Sequence, residues 1–239
     1  LIGTGVTGKT ARLENVNGVQ IARSAHDNGV QGCVVAGNVS SDPAKPTAGI
    51  LIHLKANLNH LVENRVGINV DNQPLPNDVG VVIRGEAIEN EVGGVTPDWP
   101  NWIGGNKTHG VWILDSGTIS NSVVNNYIGI TGTTAITNAQ AGVLISKGAS
   151  RNTIGGARGS AACTGPCNLI GGNGLYGVWI RGAGTKQNAV EGNYIGVRAD
   201  GGAAPNVQVG VVIQDKASHN TVGGSRVSTD CAGRCNVIS

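Results

Sequence analysis

The sequence predicts an all-β fold, a parallel β-helix, and three observations carry this prediction. A tetrad of the form G-[VI]-x-I begins at residues 18, 49, 80, 110, 142, 177 and 210, so the chain repeats every 30 to 35 residues. An asparagine stands ten or eleven residues after each tetrad glycine. No window shows the 3.6-residue apolar period of a helix. Equivalent residues on every turn are typical of a solenoid whose coils stack about 4.8 Å apart.

The composition agrees with a fold made of strands and turns. Gly accounts for 39 of the 239 residues, Phe and Met are absent, and only 13% of the residues are charged. Small β-branched residues supply the apolar content and favour strands. The net charge of +2, without any Lys/Arg run, predicts no nucleic-acid partner. No apolar stretch approaches the length of a membrane span, so no membrane insertion is expected within this segment.

Each repeat unit divides into three short strands, G-V-x-I, N-x-[VI] and N-x-I-G, joined by turns rich in Gly and Asn. The second and fourth tetrad residues point to one face and are always Val or Ile, which predicts a core. Units in which the second and third strands abut alternate with units in which a loop separates them. We therefore predict a single right-handed parallel β-helix over residues 1–239, with about seven coils of 30–35 residues arranged in two-coil modules. The predicted modules are 1–48 (partial), 49–109, 110–176 and 177–239 (truncated).

Two asparagine columns are candidates for structural ladders. We expect the amides of the first column to stack just inside the turns and to bond the coils above and below; the alternative is the ordinary preference of Asn for turns. The first column contains Asn28, Asn59, Asn90, Asn121, Asn152, Asn188 and Asn220. The second contains Asn64, Asn101, Asn126, Asn168, Asn193 and Asn236, with Cys33 in its first place.

The other four cysteines form two matching pairs, Cys163 with Cys167 and Cys231 with Cys235, two coils apart. The pairs are expected about 9–10 Å apart along the axis, too far for a single zinc site. We predict two local disulfides, with metal binding as the alternative, and hence an oxidising location. Cys33 is expected to be a buried free thiol or to pair with a neighbouring chain.

The N-terminal stretch GTGVTGKT satisfies the phosphate-loop pattern through Gly3, Gly8, Lys9 and Thr10. Its context argues against a nucleotide site. TGKTA at 7–11 aligns with TGTTA at 131–135 and DGGAA at 200–204, so Lys9 occupies a variable loop position. A turn and the strand GVQI should follow, where a phosphate loop would have a helix. We predict no nucleotide, no metal and no cofactor.

An outward-facing column of the tetrad strands is the clearest surface signal. It reads Gln20, Leu51, Val82, Trp112, Leu144, Trp179 and Val212, and six of these seven residues are apolar. Solvated faces normally carry polar residues, so either loops cover this strip or it contacts another chain or a glycan. A second outward column contains Arg65, Trp102, Tyr127 and Tyr194. The predicted partner or glycan contacts are Trp112, Trp179, Leu144, Trp102, Tyr127 and Tyr194.

Over its whole length the chain resembles the parallel β-helix repeats of large bacterial surface and secreted proteins, whose GVxI…NTIGG…NYIG pattern residues 142–213 follow. The resemblance implies the fold. The wider superfamily includes pectate lyases, glycosidases, tailspikes and adhesins, but none of the catalytic motifs of its enzymes is found here. We expect a secreted bacterial structural or adhesive solenoid without a catalytic site, which binds itself or other surface proteins. The alternative is a carbohydrate-active β-helix: a polysaccharide lyase, a glycosidase or a glycan-binding module.

The two ends of the sequence also carry an expectation. The sequence begins in a third strand, LIG, and stops at NVIS inside another coil. Solenoids normally close with capping repeats. We expect a window on a longer array, or a subunit whose ends are covered by its neighbours.

Overall fold

A computed structural model describes residues 1–10, 15–40, 47–94, 99–227, 229 and 231–239. Strands and turns account for these residues, and no helix occurs among them. The strands pair in parallel and stack as a β-solenoid of about six turns, which confirms the predicted all-β, parallel solenoid class. Within the described part of the chain, no helix has the length and apolarity that crossing a bilayer requires.

The strands of the described residues form three parallel sheets, each with seven strands. The first sheet contains β1 (Asn17–Ile21), β4 (Ala48–Ile52), β7 (Val79–Ile83), β10 (Val111–Leu114), β13 (Ala141–Ser146), β16 (Tyr176–Arg181) and β19 (Val209–Gln214). The second contains β2 (Gly29–Gln31), β5 (His60–Val62), β8 (Glu91–Val92), β11 (Ser122–Val123), β14 (Thr153–Gly155), β17 (Ala189–Glu191) and β20 (Thr221–Val222). The third contains β3 (Val34–Val35), β6 (Arg65–Val66), β9 (Asn101–Ile103), β12 (Asn126–Ile128), β15 (Leu169–Ile170), β18 (Tyr194–Ile195) and β21 (Val237–Ile238).

The core is a column of Val and Ile side chains enclosed by the three sheets. The tetrad residues Ile113, Ile145 and Ile180 pair in register across neighbouring strands and are completely buried. Val123 of the second sheet and Ile128 of the third pack in the same cluster. Burial of one such side chain stabilises the fold by roughly 1.5–3 kcal/mol, so the periodic core supplies the main driving force for coil stacking.

The inward column is less well covered in the first and last coils. Val19 is half-buried, whereas the equivalent Val111 is completely buried. At the other end Ile213 is 40% exposed, although its register partner Ile180 has no exposed surface. The physical reason is that β1 and β19 each have a strand neighbour on one side only.

The structure places the asparagines of the first column in a hydrogen-bonded ladder. The backbone N–H and Nδ2 of Asn59 both donate to Oδ1 of Asn90, at 3.1 and 2.8 Å. Nδ2 of Asn90 donates in turn to the carbonyl of Ala56 at 3.0 Å. The second column is linked in the same way, and at its first place the backbone N–H of Cys33 donates to Oδ1 of Asn64 at 3.0 Å. These bonds satisfy polar groups that burial would otherwise leave unpaired.

A third asparagine ladder, which was not predicted, is formed by residues that precede the tetrad strands in the sequence. It contains Asn38, Asn77, Asn106, Asn138, Asn173 and Asn206, joined from Nδ2 to Oδ1 at 2.8–3.1 Å. This ladder explains the tetrad glycines. A Cβ on Gly110 would stand 2.9 Å from Nδ2 of Asn138, and one on Gly142 would stand 2.8 Å from Nδ2 of Asn173. The glycine leaves the space that each ladder amide occupies.

Candidate functional site

The outward strip of the first sheet is the main candidate for a contact surface. Trp112, Leu144 and Trp179 stand directly opposite one another on β10, β13 and β16. Leu144 is only 4% exposed, whereas both indoles are partly exposed, so Leu144 does not form open contact surface. The strip is therefore not uniformly accessible, and it divides into an aromatic cluster and an open groove.

The aromatic cluster surrounds His109. Its imidazole lies 5.7 Å from the Trp112 ring and 6.3 Å from the Trp179 ring, measured between ring centroids. Tyr176 packs against Trp179 at 4.9 Å. The guanidinium of Arg181 lies over the Trp179 ring, 4.6 Å from its centroid. Cation–π contacts of this kind shield aromatic surface while leaving a charge facing solvent.

His109 is a buried neutral imidazole. It is 6% exposed, and burial lowers its pKa from 6.5 to about 4. The backbone N–H of Ala141 donates to Nδ1 at 3.3 Å, which places the imidazole proton on Nε2. His109 therefore fixes the start of β13 and packs the two indoles, a role that no sequence column indicated.

The open part of the strip is a groove of about 400 Å³, which we call the Trp112 groove. Its floor is an apolar cluster of Ala48, Leu51, Val79, Val82, Trp112 and Leu114. The described residues that line it include two cations, Lys147 and Arg84. Lys147 places Nζ 5.3 Å from the Trp112 ring centroid, and Nε of Arg84 contacts Oδ2 of Asp115 at 3.1 Å. An apolar floor with cations beside it suits a partner of mixed apolar and acidic character.

The second outward column is partly covered. Trp102 stacks on Tyr127 with ring centroids 6.0 Å apart, and the Arg65 guanidinium lies 5.1 Å from the Trp102 ring centroid. Tyr127, Cys163 and Tyr194 all pack against the buried cluster of Ile130, Leu169 and Ala204. The Tyr194 hydroxyl donates to the carbonyl of Ala161 at 2.7 Å. The first disulfide loop therefore engages Tyr194, whereas Tyr127 is covered in part by Trp102.

The four paired cysteines lie at disulfide-bonding distance. Cys163 and Cys167 have Cα atoms 5.2 Å apart, and Cys231 and Cys235 have the same separation. Cys33 is free and half-buried, with Sγ 3.4 Å from the carbonyl oxygen of Gln31. Each bonded pair closes a short segment of its own long loop, between β14 and β15 for the first pair and between β20 and β21 for the second.

Arg158 joins the two disulfide loops. It is 2% exposed, and its guanidinium donates to the carbonyls of Ala161 at 2.6 Å, Cys231, and Cys235 at 2.9 Å. The same group lies 5.1 Å from the Tyr194 ring centroid. A buried cation needs such partners, because desolvation otherwise costs several kcal/mol. Sequence reasoning missed this contact, although Arg226 stands at the equivalent position of the next loop.

The phosphate-loop residues form a turn whose donors are already engaged. The backbone N–H of Gly5 donates to the carbonyl of Thr10 at 2.7 Å. The backbone N–H of Gly8 donates to the carbonyl of Gly5 at 2.8 Å. Nζ of Lys9 pairs with Asp71 at 3.1 Å. The residues expected to follow, 11–14, lie outside the described residues. The arrangement presents no cradle of free N–H groups at Gly5 and Gly8.

Asp78 is a carboxylate held by several hydrogen bonds and an ion pair, and its role is structural. Asp78 accepts hydrogen bonds from the Thr47 hydroxyl at 2.9 Å and from the backbone N–H of Ser40 at 2.8 Å, and it pairs with Lys107 at 3.2 Å. Burial raises its pKa, but the hydrogen bonds outweigh burial and hold the pKa below its usual value. Among the residues that the structure describes, no group of three or more His, Cys, Asp or Glu could hold a metal ion.

Comparisons with known proteins add no relative, so the chain is classified by its fold alone. No family model, curated protein or solved structure matches it. The class that the fold defines is the parallel β-solenoid, and the surface features above describe what this solenoid offers to partners.

Proposed function

We propose that the chain is a structural or adhesive β-solenoid that acts outside the cell, as a segment or subunit of a bacterial surface, filament or matrix protein. The proposal includes right-handed winding, about seven coils in two-coil modules, and kinship with the bacterial parallel β-helix repeats that the sequence resembles. It assigns no catalytic role and no cofactor to this segment.

The observation that carries this proposal is the continuity of the buried hydrogen-bond ladders. The third ladder alone runs from Asn38 to Asn206 without a break, at 2.8–3.1 Å. A ladder of this kind ties every coil to the next, as expected for a stiff rod. The two disulfide loops support an oxidising, extracellular location.

The partner surface in this proposal is the Trp112 groove, through which solenoids associate laterally with a second copy or another surface protein. Leu51 is half-exposed in the groove floor, so Leu51→Ser should weaken association without opening the core. Val207 is 73% exposed and lies outside the groove, which makes Val207→Ser the matched control. Sedimentation over a range of concentrations should show association that Leu51→Ser weakens and Val207→Ser leaves unchanged. A chain that stays monomeric at all concentrations would count against lateral self-association.

A carbohydrate-active role is the second candidate, and the partly exposed Trp112 indole beside Lys147 is the observation that favours it. The two roles separate in an assay of acidic and neutral polysaccharides, with and without Ca²⁺. Release of new reducing ends that a single acid-to-amide change abolishes would overturn the structural proposal. Binding without cleavage would instead identify an adhesive solenoid.

A further inference from the structure

A second cavity lies on the outer face of the second sheet, away from the Trp112 groove. It has a volume of about 300 Å³, and its lining includes Gly29, Gln31, His60, Val62, Glu91, Gly94 and Trp99. We call it the Trp99 cavity. None of these residues belongs to a contact column that the sequence predicted.

The floor of the Trp99 cavity follows from the strand register. Gly29, His60 and Glu91 stand opposite one another on β2, β5 and β8. The residues that follow them point inward, and Leu61, for example, is 1% exposed, so this row faces outward. Gly29 has no side chain, and nothing lies within 4 Å of the place where its Cβ would stand. The row therefore contains open space beside an imidazole and a carboxylate.

The polar groups of the floor leave room for a hydroxyl. Nδ1 of His60 is 3.7 Å from Oε1 of Glu91, which is too long for a direct hydrogen bond. A ligand hydroxyl on the cavity side of the pair could bridge the two atoms, donating to the carboxylate and bonding the imidazole at the same time. Nε2 of Gln31 is held by Oε2 of Glu63 at 2.7 Å, which orients a third polar group in the lining.

One wall of the cavity is apolar. Trp99 is 44% exposed. A Cβ on Gly94 would stand 3.4 Å from Val62 and 4.0 Å from the Trp99 ring, so the Gly94 backbone lies close to both. An accessible indole next to a carboxylate and an imidazole matches a sugar ring, whose C–H face packs on an aromatic ring while its hydroxyls take hydrogen bonds.

The charge of the lining selects among sugars. The described lining residues include the Glu91 carboxylate but neither Lys nor Arg. An anionic sugar would therefore bring a second negative charge close to Glu91 without a compensating cation. We propose that the Trp99 cavity binds uncharged hexopyranoside units of an oligosaccharide. This site goes beyond the proposed function, which uses only the Trp112 groove.

The test is calorimetric titration of the whole chain with neutral hexasaccharides of glucose, galactose and N-acetylglucosamine, with hexagalacturonate as the anionic comparison. At least one neutral chain should bind saturably. Trp99→Ala and Glu91→Gln should each weaken that binding by at least about tenfold. Glu86→Gln is the matched control. Glu86 is an exposed residue in the loop between β7 and β8, outside the cavity lining, and its carboxylate pairs with Lys55. Thermal unfolding should show that all variants remain folded.

Three results would overturn the proposal: no neutral hexasaccharide binds, Trp99→Ala leaves binding intact, or hexagalacturonate binds more tightly than every neutral chain. Binding that Trp112→Ala abolishes while Trp99→Ala leaves it unchanged would place the ligand in the other groove and would also overturn it. Self-association is measured without glycan, so failure of this site and failure of the proposed function are distinguishable.

Discussion

Nδ2 of Asn90 donates a 2.9 Å hydrogen bond to Oδ1 of Asn121, one coil further along the solenoid. The same oxygen accepts the backbone N–H of Asn90 at 3.0 Å. Nδ2 of Asn121 then donates to the carbonyls of Ala87 and Ile119, at 3.0 and 3.1 Å. It also donates to Oδ1 of Asn152, at 3.0 Å. One buried amide therefore serves two donors and three acceptors, and no smaller side chain could replace it.

Asn121→Ala should destabilise the protein by about 3 kcal/mol, because it removes the acceptor of the buried Asn90 backbone N–H and the side-chain donor to the carbonyls of Ala87 and Ile119. The measurement is chemical unfolding followed by circular dichroism. Asn57→Ala is the control, since the Asn57 side chain makes an exposed bond to Lys55 and its loss should cost less than about 0.5 kcal/mol. Equal effects of the two changes would mean that the ladder contributes little to stability.

The core column offers a second pair of matched changes. Ile145 has no exposed surface, whereas Ile213, in the same column, is 40% exposed. Ile145→Ala should cost about 3–4 kcal/mol through lost burial and a residual cavity, and Ile213→Ala about 1 kcal/mol. Thermal and urea unfolding of both variants would measure the difference. A larger loss at Ile213 would show that the assigned core is wrong.

His109 should make stability depend on pH. Its folded pKa of about 4 lies below the usual 6.5, so between these values the unfolded chain binds a proton that the native chain does not. The contribution of His109 to the unfolding free energy is therefore complete above pH 6.5 and falls as the pH drops. About 3 kcal/mol of it has been lost below pH 4.

Comparison with His109→Gln isolates this contribution from those of the carboxylates. The difference in unfolding free energy between the two proteins should change across pH 4 to 6.5 and stay constant above that interval. A constant difference from pH 4 to 8 would exclude proton binding at His109 as the source.

Arg158 and Arg226 test the contact between the disulfide loops. Arg158→Met should cost about 2 kcal/mol and speed proteolysis of both loops, because three carbonyls lose their donor. Arg226 is exposed at the equivalent position, so Arg226→Met should change stability by less than about 0.5 kcal/mol. Chemical unfolding and limited proteolysis of the two variants would show whether the buried arginine stabilises the contact between the loops. Similar behaviour would contradict a special role for the buried arginine.

The sequence was sufficient for the coil architecture because core and ladder residues recur at nearly constant spacing. The third ladder was not predicted, although its spacing to the tetrad is nearly constant. Asn106, Asn138, Asn173 and Asn206 each stand four residues before a tetrad glycine, and only Asn38 lies much further away, eleven residues before Gly49. An Asn just before a strand also fits the ordinary turn preference of this residue, so the column by itself did not indicate a ladder. The close approach of the ladder amides to the tetrad glycines shows why the amides stand there.

The surface was harder to predict for a different physical reason. The apolar residues of the outward strip were visible in the sequence, but their cover depends on side-chain directions and on residues that occur once. His109 belongs to no repeat column, and the cation over Trp179 comes from Arg181, which lies on the same strand. Repetition specifies what all coils share, whereas the candidate sites arise where single coils differ.

The ladders also tolerate insertions. Asn101 and Asn126 are 25 residues apart, and Asn126 and Asn168 are 42 apart, yet the two Nδ2-to-Oδ1 bonds measure 2.9 and 3.0 Å. Seventeen additional residues are thus accommodated outside the stack without a change in its spacing. Evolution, or a protein engineer grafting a new recognition loop, can lengthen the chain at these points while the scaffold beneath keeps its dimensions.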